Sequence, residues 1–175
     1  MKNKEIKGYK AFYKDYKNRY GKDFNAGETY STKGPLVFGN NGNGYHFCSR
    51  LEDTLRYFPA SEEEISIAEV TSLSDVKEYY DDYNGFYDMY VARTLRIERF
   101  LSRNEIITMF LKLPDYRVIR FIQLFKLTDE EADLFRLYYP NSENVQKAIR
   151  YYHDGDKDVY TERYSSYQYK KRKDE

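Results

Sequence analysis

GYHFCSRLEDTLRYFP, residues 44–59, decides how the first half of the chain is read. Tyr45 to Cys48 is short, aromatic and alternating, which predicts a strand. Ser49 follows as a helix N-cap, with Glu52 and Asp53 in the first turn. Leu51, Leu55 and Phe58 fall at i, i+4 and i+7, the spacing of one helical face. Pro59 ends that helix after two turns at most. A strand running into a short capped helix predicts a small packed core rather than an extended or disordered chain.

Working outward, the segments on either side also read as strands. Ile6 to Tyr13, IKGYKAFY, is rich in aromatic and β-favouring residues. Glu28 to Thr32 reads as a second short strand, and the cluster FGNNGNG (38–44) as a turn. Glu64 to Val70 alternates, with Ile65 and Ile67 pointing inward. Phe86 to Leu101 reads as one long strand with a bulge.

Past Leu101 the period changes. Ser102 with Glu105, and Thr128 with Glu131, have the spacing of capping boxes. Ile106, Ile107, Phe110 and Leu111 form one apolar stripe, and Val118, Ile119, Ile122 and Phe125 another. Val145, Ala148, Ile149 and Tyr152 form a third, with Gly155 as C-cap. The predicted class is α+β: a small mixed or antiparallel sheet with one short helix, residues 1–102. A helical subdomain, 103–164, and a polar tail, 165–175, follow.

Composition narrows the function. The 29 basic and 29 acidic residues cancel, which argues against a duplex-DNA binder with a basic excess. A single cysteine forms no internal disulfide and suits a reducing, cytoplasmic setting. The charged N-terminus predicts no signal peptide, and no stretch has the length of a membrane span. Twenty-one tyrosines and 11 phenylalanines stand against no tryptophan. Tyrosine suits contact surfaces, although the codons of an AT-rich genome also favour it.

Several residues are candidates for a site. His46 and Cys48 lie two apart on one strand, so their side chains share a face but stand nearly 7 Å apart along it. A buried structural cysteine is the simpler reading. The loop YYDDYNGFYD joins carboxylates to rings: Tyr79, Tyr80, Asp81, Asp82, Tyr83, Phe86 and Tyr87 make a candidate protein-contact surface. His153 stands before alternating Asp154, Asp156 and Asp158, but Ser165 occupies the place where a calcium loop needs its glutamate. No metal and no cofactor is expected. The tail Lys170 to Lys173, preceded by Tyr164, Tyr167 and Tyr169, suits single-stranded nucleic acid less well than a solvated end.

Two resemblances add to this. Tyr9-Lys10-Ala11-Phe12, then Gly27 and Tyr30, then Gly44-Tyr45-His46-Phe47-Cys48, Asp53, Tyr57-Phe58-Pro59 and Ala68-Glu69-Val70 resemble, in order and spacing, a domain family of unknown function from phages and bacteria. The likeness spans residues 6–108 and includes Thr94 to Ile106. It implies a phage or mobile-element setting and supplies no activity. More distantly, the first strand and the Gly44–Phe47 strand are similar to ADP-ribosyltransferase-like folds. That likeness implies a cleft lined by Lys10, Tyr45 and His46, with Lys10 and Ala11 standing where the pattern has Arg or His and Gly. The expectation drawn from all of this is a non-enzymatic interaction module with a host or phage protein as partner. The alternatives are an ADP-ribosyltransferase-like enzyme or remnant, and a single-strand nucleic-acid binder.

Overall fold

The computed structural model describes residues 5–13, 16, 21–39, 41–57, 65–79 and 89–159. They fall into two compact units, one carrying the sheet up to Leu101 and one starting at Ser102. The protein is α+β, with an antiparallel seven-stranded sheet and four helices after it in the chain.

The strands are β1 (Ile6–Tyr13), β2 (Thr29–Ser31), β3 (Tyr45–Cys48), β4 (Ile65–Ser72), β5 (Val76–Tyr79), β6 (Met89–Ala92) and β7 (Thr94–Phe100). Their order is β2-β7-β4-β1-β3-β6-β5. This order cannot be flat. Four strand spacings separate β6 from β7, about 19 Å in an uncurled sheet. Only Arg93 joins them, and one intervening residue spans about 7 Å. The sheet therefore curls until its two sides meet at Arg93. There β4–β5 and β6–β7 form the two arms of one long hairpin, bent between Leu73 and Asp75. The bend keeps its hydrogen bonds: Arg93 N–H donates to the Asp75 carbonyl and Leu73 N–H to the Thr94 carbonyl, both at 3.0 Å. β1 lies along one arm and β3 along the other.

The long strand read from Phe86 to Leu101 is thus β6 and β7 with the break at Arg93. Strand β5, to which the sequence reading assigned no element, completes the first arm and pairs with β6. The core of this unit holds Phe12, Phe24, Phe47, Val70, Leu95 and Ile97. Leu51–Tyr57 is a 3₁₀ helix, tighter than the α-helix its spacing suggests. Leu51 and Leu55 are buried as expected. Asp53 and Thr54 are buried with them, held by bonds from Arg50 to Asp53 (3.0 Å) and from the Thr54 hydroxyl to the Leu51 carbonyl (2.6 Å). Phe58, Pro59 and Glu64 lie outside the described residues.

The helices are α1 (Arg103–Phe110), α2 (Asp115–Leu124), α3 (Asp129–Tyr138) and α4 (Glu143–Tyr152). Both capping boxes form, at Ser102/Glu105 and Thr128/Glu131. Phe121 is the hub of the helical core, with ring centroids 4.3 Å from Phe110, 4.3 Å from Phe125 and 5.6 Å from Phe135. Arg103 grips Glu131 through two nitrogens, at 2.6 and 2.8 Å, a fork geometry that ties α1 to α3. Among the described residues no helix is long and apolar enough to cross a membrane.

Candidate functional site

The curl brings β1 against β3 at one register pair, Tyr9 with Cys48. Gly8 makes that approach feasible. A Cβ there would sit 2.3 Å from the Cys48 carbonyl oxygen and 2.8 Å from the Phe47 ring. Past this pair no further residues of the two strands are matched, and Lys10 reaches into the gap. Its ammonium donates to the His46 carbonyl at 2.8 Å and lies 5.5 Å from the centre of the Phe12 ring. Burial pushes Lys10 down to about 8, an effect that the neighbouring Cys48 partly offsets.

His46 faces the other way. Its Nε2 accepts the Gly39 N–H at 3.3 Å, and the Gly44 backbone lies against the ring. The imidazole thus spans the turn from Gly39 to Gly44, with Phe38 edge-on at 5.7 Å. Burial, and then the charge of Lys10, push it down to about 4. The ring is therefore neutral near pH 7, with Nε2 as acceptor. Gly44 is required at the turn's end. Its φ is +122°, and a Cβ would meet the Val91 side chain at 2.4 Å.

Tyr45 joins a separate group on the face of Phe47. Its hydroxyl lies 3.2 Å from the Lys22 ammonium and 3.3 Å from the Ser31 carbonyl. Lys22 sits over three rings, at 5.4 Å from Phe24, 5.1 Å from Tyr30 and 5.3 Å from Tyr45. Of the three residues of the inferred cleft, Lys10 and His46 therefore meet through the main chain. The His46 ring and the Tyr45 ring, on consecutive strand residues, serve different groups. Cys48 is buried beside Tyr9.

Of the candidate contact loop, Tyr79 ends β5 and packs on Phe38 at 4.7 Å. Tyr80, Asp81, Asp82, Tyr83, Phe86 and Tyr87 lie outside the described residues, as do Lys170 to Lys173. His153 caps α4 and contacts Asp129 at 3.1 Å and Asp154 at 2.7 Å, while Asp154 also takes Arg136. Among the described residues no group of three or more His, Cys, Asp or Glu is placed to hold a metal.

Two features escaped the sequence reading. One is the ring group around Lys22, whose members come from three separate segments. The other is on α3. Leu134, Leu137 and Tyr138 are 40%, 72% and 57% exposed, on the side of the helix opposite Ala132 and Phe135. The i, i+3, i+4 spacing makes them one apolar stripe. That spacing is visible in the sequence, but it does not say which of two apolar faces is covered.

The chain belongs to a family whose model, described as a domain of unknown function (DUF7666), matches residues 6–108. The match covers the whole sheet and runs into α1. No curated protein and no solved structure matches the chain.

Proposed function

We propose that this family member is a non-enzymatic protein-interaction module, cytoplasmic and associated with a phage or mobile element, whose partner is a host or phage protein. The observation that carries the reading is the exposed stripe Leu134, Leu137 and Tyr138 on α3. Isolated apolar residues on a surface need no explanation, but a contiguous exposed group marks a contact site. Glu130 and Asp133 are exposed at its N-terminal end. The partner that fits is a protein presenting an apolar helix face with basic residues at its rim. The tyrosine and carboxylate loop from Tyr79 to Asp88 supports the same class of partner on the sheet unit.

The experiment is a pull-down from bacterial lysate, with the wild-type chain and with Leu137→Asp side by side. The wild type is expected to retain a stoichiometric protein and the variant to lose it. Equal recovery by both, or none by either, overturns the reading.

A second reading, an ADP-ribosyltransferase-like enzyme or its inactive remnant, draws support from Lys10, a partly desolvated ammonium in the gap between β1 and β3. The bond from the Gly39 N–H to His46 Nε2, which ties the ring into the turn, weighs against catalysis. A thermal shift with NAD, lost in Lys10→Met, would move the balance to this reading. The third reading, single-strand nucleic-acid binding, rests on residues 164–175 and predicts salt-sensitive affinity lost on deleting them.

A further inference from the structure

Elsewhere among the described residues a cation meets one ring: Lys10 over Phe12, Arg103 over Phe125, Arg117 over Tyr116, Lys157 over Tyr151. Lys22 is different. Its ammonium stands between 5.1 and 5.4 Å from three ring centres at once. Those rings also pack on one another. Phe24 lies 4.7 Å from Tyr30 and 6.2 Å from Tyr45, and Tyr30 lies 6.4 Å from Tyr45.

The rings are fixed before any ligand arrives. Phe24 is buried in the sheet core. The Tyr30 hydroxyl donates to Glu28 at 2.7 Å and accepts the Asn25 N–H at 2.8 Å. The Tyr45 hydroxyl donates to the Ser31 carbonyl. Bonds from Tyr30 and Asn25 lower the pKa of the Glu28 carboxyl, so a negative charge persists at the rim. Three locked ring faces with a carboxylate beside them are the arrangement that attracts a cation out of water.

We propose that Phe24, Tyr30 and Tyr45 form an aromatic cage for a quaternary ammonium group, and that the chain's own Lys22 occupies it in this structure. Lys22 is an exposed residue directly after Gly21, whose φ is +75°. A primary ammonium brings three N–H donors, each of which wants an acceptor. The Tyr45 hydroxyl accepts one of them from Lys22, at 3.2 Å, and a ring face takes an N–H less well than an oxygen does. A quaternary group carries the same charge with no N–H to satisfy, so it leaves water at lower cost and matches the rings better. The cage is independent of the α3 stripe, and neither inference needs the other.

The test is calorimetric titration of the full chain with choline and with 3,3-dimethylbutan-1-ol, its uncharged isostere. Lys22→Ala removes the internal competitor from an exposed position and leaves the rings in place. This variant is expected to bind choline at least about tenfold more tightly than the wild type, and to prefer choline over the isostere by at least about tenfold. Tyr30→Leu in the same background is expected to abolish binding. The comparison of choline with its isostere stands on Lys22→Ala alone. No heat with choline in Lys22→Ala, or equal binding of the charged and uncharged compounds, overturns the proposal. A peptide carrying trimethyl-lysine separates the sources: tighter binding than choline assigns the group to a protein side chain, weaker binding to a free amine.

Discussion

In the sheet unit the unusual side chains turn inward, whereas in the helical unit they turn outward. Lys10 and His46 are drawn into the gap beside β3 and into the turn from Gly39 to Gly44, where each is held by main-chain partners. Leu134, Leu137 and Tyr138 project from α3 into solvent, although Ala132 and Phe135 on the same helix already fill its core side. Burying a charge costs stability, and exposing apolar surface risks aggregation. The first cost is offset within the unit, by bonds that fix a turn and a strand gap. Nothing described in the chain offsets the second, and a partner would. The same two kinds of cost therefore point to structure in one unit and to binding in the other.

The largest effects should come from breaking what each unit has closed. Gly8→Ala forces a Cβ to within 2.3 Å of the Cys48 carbonyl and parts β1 from β3. Phe121→Ala empties the hub of four aromatic rings in the helical unit. Each is expected to cost about 3–5 kcal/mol, read from the midpoint and slope of urea unfolding. A loss below about 1 kcal/mol for Gly8→Ala would show that the strands have room to part, and that the gap beside Lys10 is not fixed.

Protonation sharpens the contrast further. His46 is held near 4 when folded, against 6.5 in the unfolded chain. Between those values the unfolded chain binds the proton and the folded chain does not. Stability is thus fully present above pH 6.5 and falls as pH drops toward 4. Allowing for partial exposure of the ring, the loss from this group is about 2 kcal/mol. Lys10 has the same sign in a higher window. Folded near 8 and unfolded near 10.5, it lets stability rise with pH between them, and Lys10→Met should flatten that rise. Proton NMR of the His46 ring checks the first claim directly: a titration midpoint near 6.5 would remove His46 from the turn's support.

Smaller effects belong to the helices. Thr128→Ala removes the hydroxyl that accepts the Glu131 N–H at 3.2 Å, and should cost about 1 kcal/mol in thermal unfolding. Leu137→Asp touches little, so its stability should stay within about 0.5 kcal/mol of the wild type. That near-neutrality is what makes the variant useful. A large loss would mean that Leu137 is covered within the chain, and the contrast between the units would fail.

Local signals were legible in the sequence because they act over three or four residues. Ser102 and Thr128 announced their capping boxes, and Leu51 and Leu55 their burial. The glycine of Gly44-Tyr45-His46 marked a position that the structure confirms only glycine can fill. The family was legible over residues 6–108 for the same reason, since its motifs are short and ordered. What the sequence hid depends on distant pairing. The break at Arg93 looks like one continuous strand until both neighbouring arms are known. Strand β5 has two exposed residues of four, and reads as a loop without β6 beside it. The cage needs Lys22 and Phe24, Tyr30 and Tyr45 to meet across three segments, which no periodicity encodes. His46 looked reactive because a histidine near a cysteine is the usual sign of chemistry. In place, its Nε2 accepts from the loop that precedes it.

The most direct test of the account is the paired pull-down with the wild-type chain and Leu137→Asp, performed after unfolding curves show the two equally stable. The account predicts a stoichiometric protein partner retained by the wild type and lost by the variant. Retention of that partner by a folded Leu137→Asp would contradict it, and would move the search for a contact surface away from α3.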